Sequence, residues 1–215
     1  MPLIGDHAPE FHAMTTQGKI DFPADYKGSW VVLFSHPADF TPVCTTEFIA
    51  LSRMNETFES LNTKLIGLSI DSLHSHLGWI KSIEALNFNN EGKVKIPFPI
   101  IADISMNVAK KYGMLQTVAN TQTVRAVFII DPEGIIRTIL YYPMSTGRNI
   151  PEIIRILQSL QLNDKTHYST PANWQPGDDV VMGAPLTIEE DQERLESSDN
   201  TIKPLDWYLT MKKMK

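Results

Sequence analysis

Hydrophobic residues along this chain follow two different periods. "WVVLFS" (30–35), "KLIGLSID" (64–71) and "VRAVFIID" (124–131) are continuous apolar runs rich in β-branched residues. Such runs predict strands buried on both faces. Between them the spacing becomes helical. Phe48, Leu51, Met54, Phe58 and Leu61 recur three or four residues apart, which predicts a helix from about Cys44 to Leu61. "SLHSHLGWIKSIEAL" (72–86) predicts a second helix opening on Ser72, and "SMNVAKKYG" a short one closed by Gly113. "IPEIIRILQSL" (150–160) predicts a last amphipathic helix with Pro151 in its first turn. "IPFPIIAD" (96–103) is extended, and its two prolines suggest a strand near a sheet edge. "VRAVFIID" and "IIRTILYY" (135–142) flank "PEG", the pattern of a hairpin. Alternating βα units followed by a hairpin and a helix imply an α/β fold, a mixed sheet flanked by helices.

The pattern weakens near residue 170. The stretch from 171 to 215 has four prolines and holds −4 of the chain's net charge of −6. A disordered acidic tail would rarely carry Trp174, Trp207 and Tyr208, so an extension arm packed on its own domain or on a partner subunit is expected. The chain therefore reads as a domain over 1–165 and an extension over 166–215.

Composition narrows the function classes. The chain is 42% hydrophobic and 20% charged, as in a soluble globular protein. Its acidic balance argues against nucleic acid or an anionic membrane as the main partner. No apolar run is long enough to cross a bilayer, and the start "MPLIGDHAPEFH" lacks a basic segment followed by an apolar one. With one cysteine, a reducing cytoplasm is the expected location.

That one cysteine, Cys44, lies in "SHPADFTPVCTTEF" (35–48), just after a predicted strand. Pro42 suits the first turn of a helix, where its missing N–H costs nothing. Cys44 is then in the first turn, at the carboxyl end of a sheet strand, where open α/β sheets place their sites. Unpaired backbone N–H groups and the helix dipole favour thiolate there. The bland alternatives are a buried packing cysteine, a Thr41 helix cap, a His36 bonded to backbone, and solvated Arg125 and Arg148. An Arg125 that faced inward would need an anion. His74 and His76 are two apart on a predicted helix and do not share a face, so they read as solvated rather than metal-binding. Glu47 at the fourth position of "CTTE" counts strongly against Cys-x-x-Cys dithiol exchange. An inert assembly protein remains a rival, to be separated by iodoacetamide titration of the thiol.

"PADFTPVC" resembles the Pro-x-x-x-Thr-x-x-Cys motif of the peroxiredoxins, and "LIGLSIDS", "IPFPIIAD", "VRAVFIID", "IIRTILYYP" and "GR" follow in that family's order and spacing. The likeness spans essentially the whole chain and is nearest to the long one-cysteine subfamily. It implies a thioredoxin-like fold and a thiol peroxidase that reduces hydrogen peroxide and alkyl hydroperoxides. By the same likeness Cys44 matches the peroxidatic nucleophile, Thr41 the hydroxyl that bonds the peroxide, and Pro37 the ring that shields the site. Arg125 matches the arginine that activates cysteine and peroxide, Arg148 a second arginine nearby, and His36 a histidine by the thiol. It implies no cofactor and no metal, a homodimer with an arm contact, and a ring of five dimers. Some relatives carry a resolving cysteine just before Leu-Asp-Trp. Here "KPLDWYLT" has Pro204 in that place. An external thiol or thioredoxin-like reductant must then complete turnover.

Overall fold

The computed structural model describes residues 1–115 and 122–214. The chain divides into two compact units, Met1–Ile150 and Pro151–Lys215. The first contains β1 (Phe11–Thr15), β2 (Gly18–Phe22), β3 (Trp30–Ser35), α1 (Pro42–Arg53), α2 (Asn55–Ser60), β4 (Thr63–Ser69), α3 (Leu73–Ala85), β5 (Ile100–Ala102), α4 (Asn107–Lys111), β6 (Arg125–Ile130) and β7 (Ile136–Tyr142). Its strands form one seven-stranded sheet in the order β2-β1-β5-β4-β3-β6-β7. The β3–β4 and β4–β5 pairs are parallel, and the remaining pairs are antiparallel. This is the mixed, helix-flanked α/β sheet that the pattern predicts.

The continuous apolar runs have a simple cause: both sheet faces are covered. Every residue of β3 and β6 is buried. Val31 and Leu33 join a cluster with Phe11, Tyr112 of the α4 C-cap and Phe128. Phe34 points to the opposite face, edge-on to Phe48 of α1 with ring centroids 5.5 Å apart. Phe48 in turn lies 4.6 Å from the ring of Trp79 on α3. The hairpin turn at "PEG" forms as expected. Gly134 adopts φ +84° there, a value glycine reaches without strain, and its N–H donates to the Asp131 carbonyl at 2.9 Å.

Three local expectations change. The helix predicted over 44–61 breaks at Met54 into α1 and α2. Phe58 remains buried, so the apolar face continues through the break and conceals it in the sequence. The segment 96–103 is not near an edge, because β5 lies between β1 and β4. Pro97 and Pro99 precede the three-residue strand rather than interrupt it. The hairpin β1–β2 was not anticipated. Its sequence shows no apolar run, and only Phe11, Thr15 and Phe22 are buried along its two strands.

The second unit takes all of α5 (Ile150–Thr166) but its first residue, and continues through β8 (Val180–Met182), α6 (Ile188–Leu195), β9 (Ile202–Asp206) and β10 (Leu209–Lys212). The arm is not merely extended: it forms a three-stranded sheet in the order β8-β10-β9. Trp174 is buried, and its indole N–H donates to the Asp178 carbonyl at 3.2 Å. Trp207 and Tyr208 occupy the turn between β9 and β10, edge-on to each other, and are 62% and 52% exposed.

Candidate active site

Strand β3 ends at Ser35, and its hydroxyl sets the local register. It donates to the Val124 carbonyl at 2.6 Å and accepts from the Ala126 N–H at 3.1 Å. Arg125 is held between those two contacts, at the first position of β6. The loop 36–40 follows β3 and leads to Thr41, the N-cap of α1, which has extended backbone (φ −107°, ψ 146°). Pro42 opens the helix, so Cys44 is its third residue, in the first turn as the sequence predicts.

Cys44 is fully buried, and its sulfur has a charged donor. Arg125 Nη1 lies 3.2 Å from Sγ and 2.8 Å from Glu47 Oε2. Arg125 Nε and Nη2 both donate to the Met144 carbonyl, at 3.0 and 2.8 Å. Arg125 is only 3% exposed, so the reading in which it meets solvent fails. Arg148 is buried as well. Its backbone N–H and Nε donate to Glu47 Oε1 at 2.8 and 3.0 Å, and its Nη2 to Glu47 Oε2 at 2.6 Å. Its Nη1 donates to the carbonyls of Ser35 and Ala126. A solvated loop arginine would have none of these partners.

Charge arithmetic gives this cluster its chemistry. Two guanidinium cations share one carboxylate, which leaves a surplus of one positive charge in a buried site. Such a surplus is costly unless an anion meets it. The nearest group that could supply one is the Cys44 sulfur, 3.2 Å from Arg125 Nη1. In the sequence Glu47 stands out only as the residue that counts against a dithiol. Its position three residues after Cys44 places both on one helix face, and that spacing was the available signal.

Thr41 does not cap the helix with its side chain. Its hydroxyl donates to the Ala38 carbonyl at 2.9 Å, which leaves the oxygen lone pairs free to accept. Pro37, within this loop, is buried. His36 is fully buried at the end of β3, with Nε2 2.9 Å from Asp39 Oδ1. Asp39 also meets His76 of α3, whose Nδ1 lies 2.8 Å from Oδ2, while His76 Nε2 lies 3.1 Å from the Ile101 carbonyl. His76 is therefore not solvated, contrary to the expectation for "HSH"; His74 is exposed. Asp39 and His76 are 37 positions apart, and nothing in the sequence links them. Burial alone would raise the Asp39 carboxyl, but the hydrogen bonds and charges of the two imidazoles outweigh it and hold it below the usual carboxylate range. For His36 burial is the largest influence, and it draws the imidazole below its ordinary value.

His36, Asp39 and His76 offer donor atoms within 4.8 Å of one another, the one such group with metal-ligand chemistry among the described residues. Those atoms already face one another at hydrogen-bond distance, and we read the group as a hydrogen-bonded cluster. No helix among the described residues is long and apolar enough to cross a membrane.

A buried cysteine in a helical first turn, met by an arginine from the adjacent strand of a mixed sheet, defines a class of thiol site. The chain belongs to the AhpC/TSA family, which it matches over residues 4–139. Residues 159–198 match the C-terminal domain of 1-Cys peroxiredoxin. The chain is 58% identical to a peroxiredoxin of Methanosarcina mazei, over 99% of this chain and 98% of the relative. It superposes on a yeast mitochondrial 1-Cys peroxiredoxin with a TM-score of 0.86 and 41% identity, over 100% of both chains. A variant of peroxiredoxin 6 from Arenicola marina gives a TM-score of 0.86 at 35% identity, over 100% of this chain and 99% of the other. The protein is accordingly a peroxiredoxin, a thiol peroxidase and so an oxidoreductase with an antioxidant role. Its single cysteine agrees with the 1-Cys type.

Proposed function

We propose that Cys44 is the peroxidatic nucleophile, within a peroxidase domain spanning 1–165. The observation that carries this is the guanidinium of Arg125 3.2 Å from the buried sulfur, in a cluster with one surplus positive charge. The thiolate attacks one peroxide oxygen. An S–O bond forms, the O–O bond breaks, and the departing alkoxide or hydroxide takes a proton to leave as alcohol or water. Sulfur loses two electrons and becomes a sulfenic acid. Thr41 accepts from the peroxide O–H, and Arg125 stabilises charge on the leaving oxygen. Arg148 supports Arg125 through Glu47, while Pro37 and His36 wall the site. The sulfur is fully covered in the isolated chain, so a covering group must move for peroxide to enter.

An external thiol reductant closes the cycle: two reductant thiols give up two electrons, and water leaves as Cys44 returns to the thiol. In support, no second cysteine exists in the chain, and the similar yeast mitochondrial protein has its thiol resolved via glutathione/thioredoxin systems. Residues 166–215 act as a dimer-contacting extension, and the dimers close into a ring of five. The exposed Trp207 and Tyr208 and the apolar terminal strand β7 support this, since such surfaces are ordinarily covered or paired. We place the enzyme in the cytoplasm, where reducing thiols are plentiful.

Stopped-flow measurement of Cys44 oxidation by hydrogen peroxide and by an alkyl hydroperoxide tests the reading. Cys44→Ser is expected to abolish peroxide consumption while circular dichroism stays unchanged. Substantial peroxidase activity in that folded variant sinks the assignment. Light scattering of the full chain tests the dimer, and a compact monomer at micromolar concentration refutes it.

A further inference from the structure

The His36–Asp39–His76 cluster is buried beside the thiol site, yet the peroxide chemistry just described makes no use of Asp39 or His76. Its donors and acceptors can be assigned from geometry. Both ring nitrogens of His76 face acceptors, the Asp39 carboxylate at 2.8 Å and the Ile101 carbonyl at 3.1 Å. A carbonyl oxygen only accepts, so the Nε2 position must carry a hydrogen. The carboxylate accepts as well, so the Nδ1 position also carries one. Each ring nitrogen of His76 thus faces an acceptor to which it can offer a hydrogen.

His36 differs. Its Nε2 meets Asp39 Oδ1 at 2.9 Å, and its Nδ1 is buried with no hydrogen-bond partner. One N–H, on Nε2, satisfies that ring. A second proton on Nδ1 would be a buried donor without an acceptor. The other charged group facing His36 is Arg148, whose cation also opposes protonation. The ring is otherwise enclosed by Phe48 and Trp79, with centroids 4.9 and 5.0 Å away.

We propose that Asp39 and His76 are positioning residues that form a self-neutralising pair, and that the pair keeps His36 uncharged, with its proton on Nε2, in the wall of the thiol site. If the His76 charge is removed, Asp39 becomes a buried anion without a counter-charge. His36 then takes one proton from solvent to balance it. That new cation repels Arg148, whose other contacts run through Glu47 to Arg125 and the sulfur. The inference about function rests on the peroxidase reading above, but the protonation state does not.

The test uses the full chain. In ¹⁵N-labelled protein at neutral pH, long-range ¹H–¹⁵N spectra are expected to show His36 neutral with hydrogen on Nε2, and His76 protonated on both nitrogens. His76→Gln keeps a donor toward Asp39 without charge, and His36 is expected to become protonated. Cys44 oxidation by hydrogen peroxide should slow by about threefold, because a thiolate held by an extra cation is a weaker nucleophile. Combining His76→Gln with Asp39→Asn removes both charges, so neutral His36 and most of the rate should return. A purely packing role predicts the opposite, a double variant worse than either single one. Neutral His36 in folded His76→Gln overturns the proposal. So does a wild-type His36 that is already charged, which can be read even if no variant folds. Absence of peroxide reactivity in the wild-type protein would instead refute the peroxidase reading and leave the spectra to decide the pair.

Discussion

Two buried polar clusters flank the loop between β3 and α1, and they solve the problem of buried charge differently. Around Cys44, Arg125 and Arg148 share Glu47 and leave one positive charge unmet. Around Asp39, two imidazoles share one carboxylate, and in the protonation state proposed above they leave none. The first cluster uses guanidinium groups, which stay charged at any ordinary pH. The second uses histidines, whose charge depends on surroundings. An incomplete cluster calls for an anion at the sulfur. A complete one supports the loop and calls for no further ion.

The largest effect that would break this contrast comes from Arg125. Arg125→Ala removes the donor on the sulfur, and the rate constant with hydrogen peroxide is expected to fall by about a hundredfold or more, as when an oxyanion donor is lost. Arg125→Lys keeps the charge but not the planar fork, and a clear fall is expected there too. Unchanged stopped-flow rates in Arg125→Ala would mean that the surplus charge does nothing for the thiol.

Glu47→Gln sharpens the contrast through stability. It leaves two buried guanidiniums with no carboxylate between them, and breaking a buried ion pair in this way costs about 3 kcal/mol. Urea unfolding should show that loss. A midpoint equal to wild type would show that the arginines find other partners.

The histidine cluster should show itself through pH. The folded His36 value lies below the ordinary imidazole value of 6.5, so the unfolded chain binds this proton more readily. Its contribution to stability is then fully present above about pH 6.5 and is lost as pH falls toward the folded value. His36→Phe is expected to flatten that part of the curve of unfolding free energy against pH. An unaltered slope would remove His36 as its source. The smallest effect concerns salt. Buried charges are weakly screened, so raising ionic strength should change the rate with hydrogen peroxide by less than about twofold. A steep salt dependence would mean that exposed charges, not the arginine cluster, govern the thiol.

The comparison also marks how far the sequence can be read. Cys44 in a helical first turn was legible because Pro42 and the preceding apolar strand act through neighbours in the chain. The buried state of Arg125 was not, since a lone arginine in a strand has no local mark of which side it faces. The β3–β6 register decides it. Glu47 was half legible, through its spacing from Cys44, but its two arginines come from β6 and from the loop before α5.

By itself the sequence determined the strands buried on both faces, the order of βα units, the hairpin at Gly134 and the helix start beneath the thiol. Each depends on period, turn chemistry or capping within a few residues. Tertiary structure alone decided the interior place of β5, the pairing of Asp39 with His36 and His76, and the charge surplus beside Cys44. Those depend on groups brought together from distant parts of the chain, where burial, not sequence spacing, sets the cost of an unmet charge.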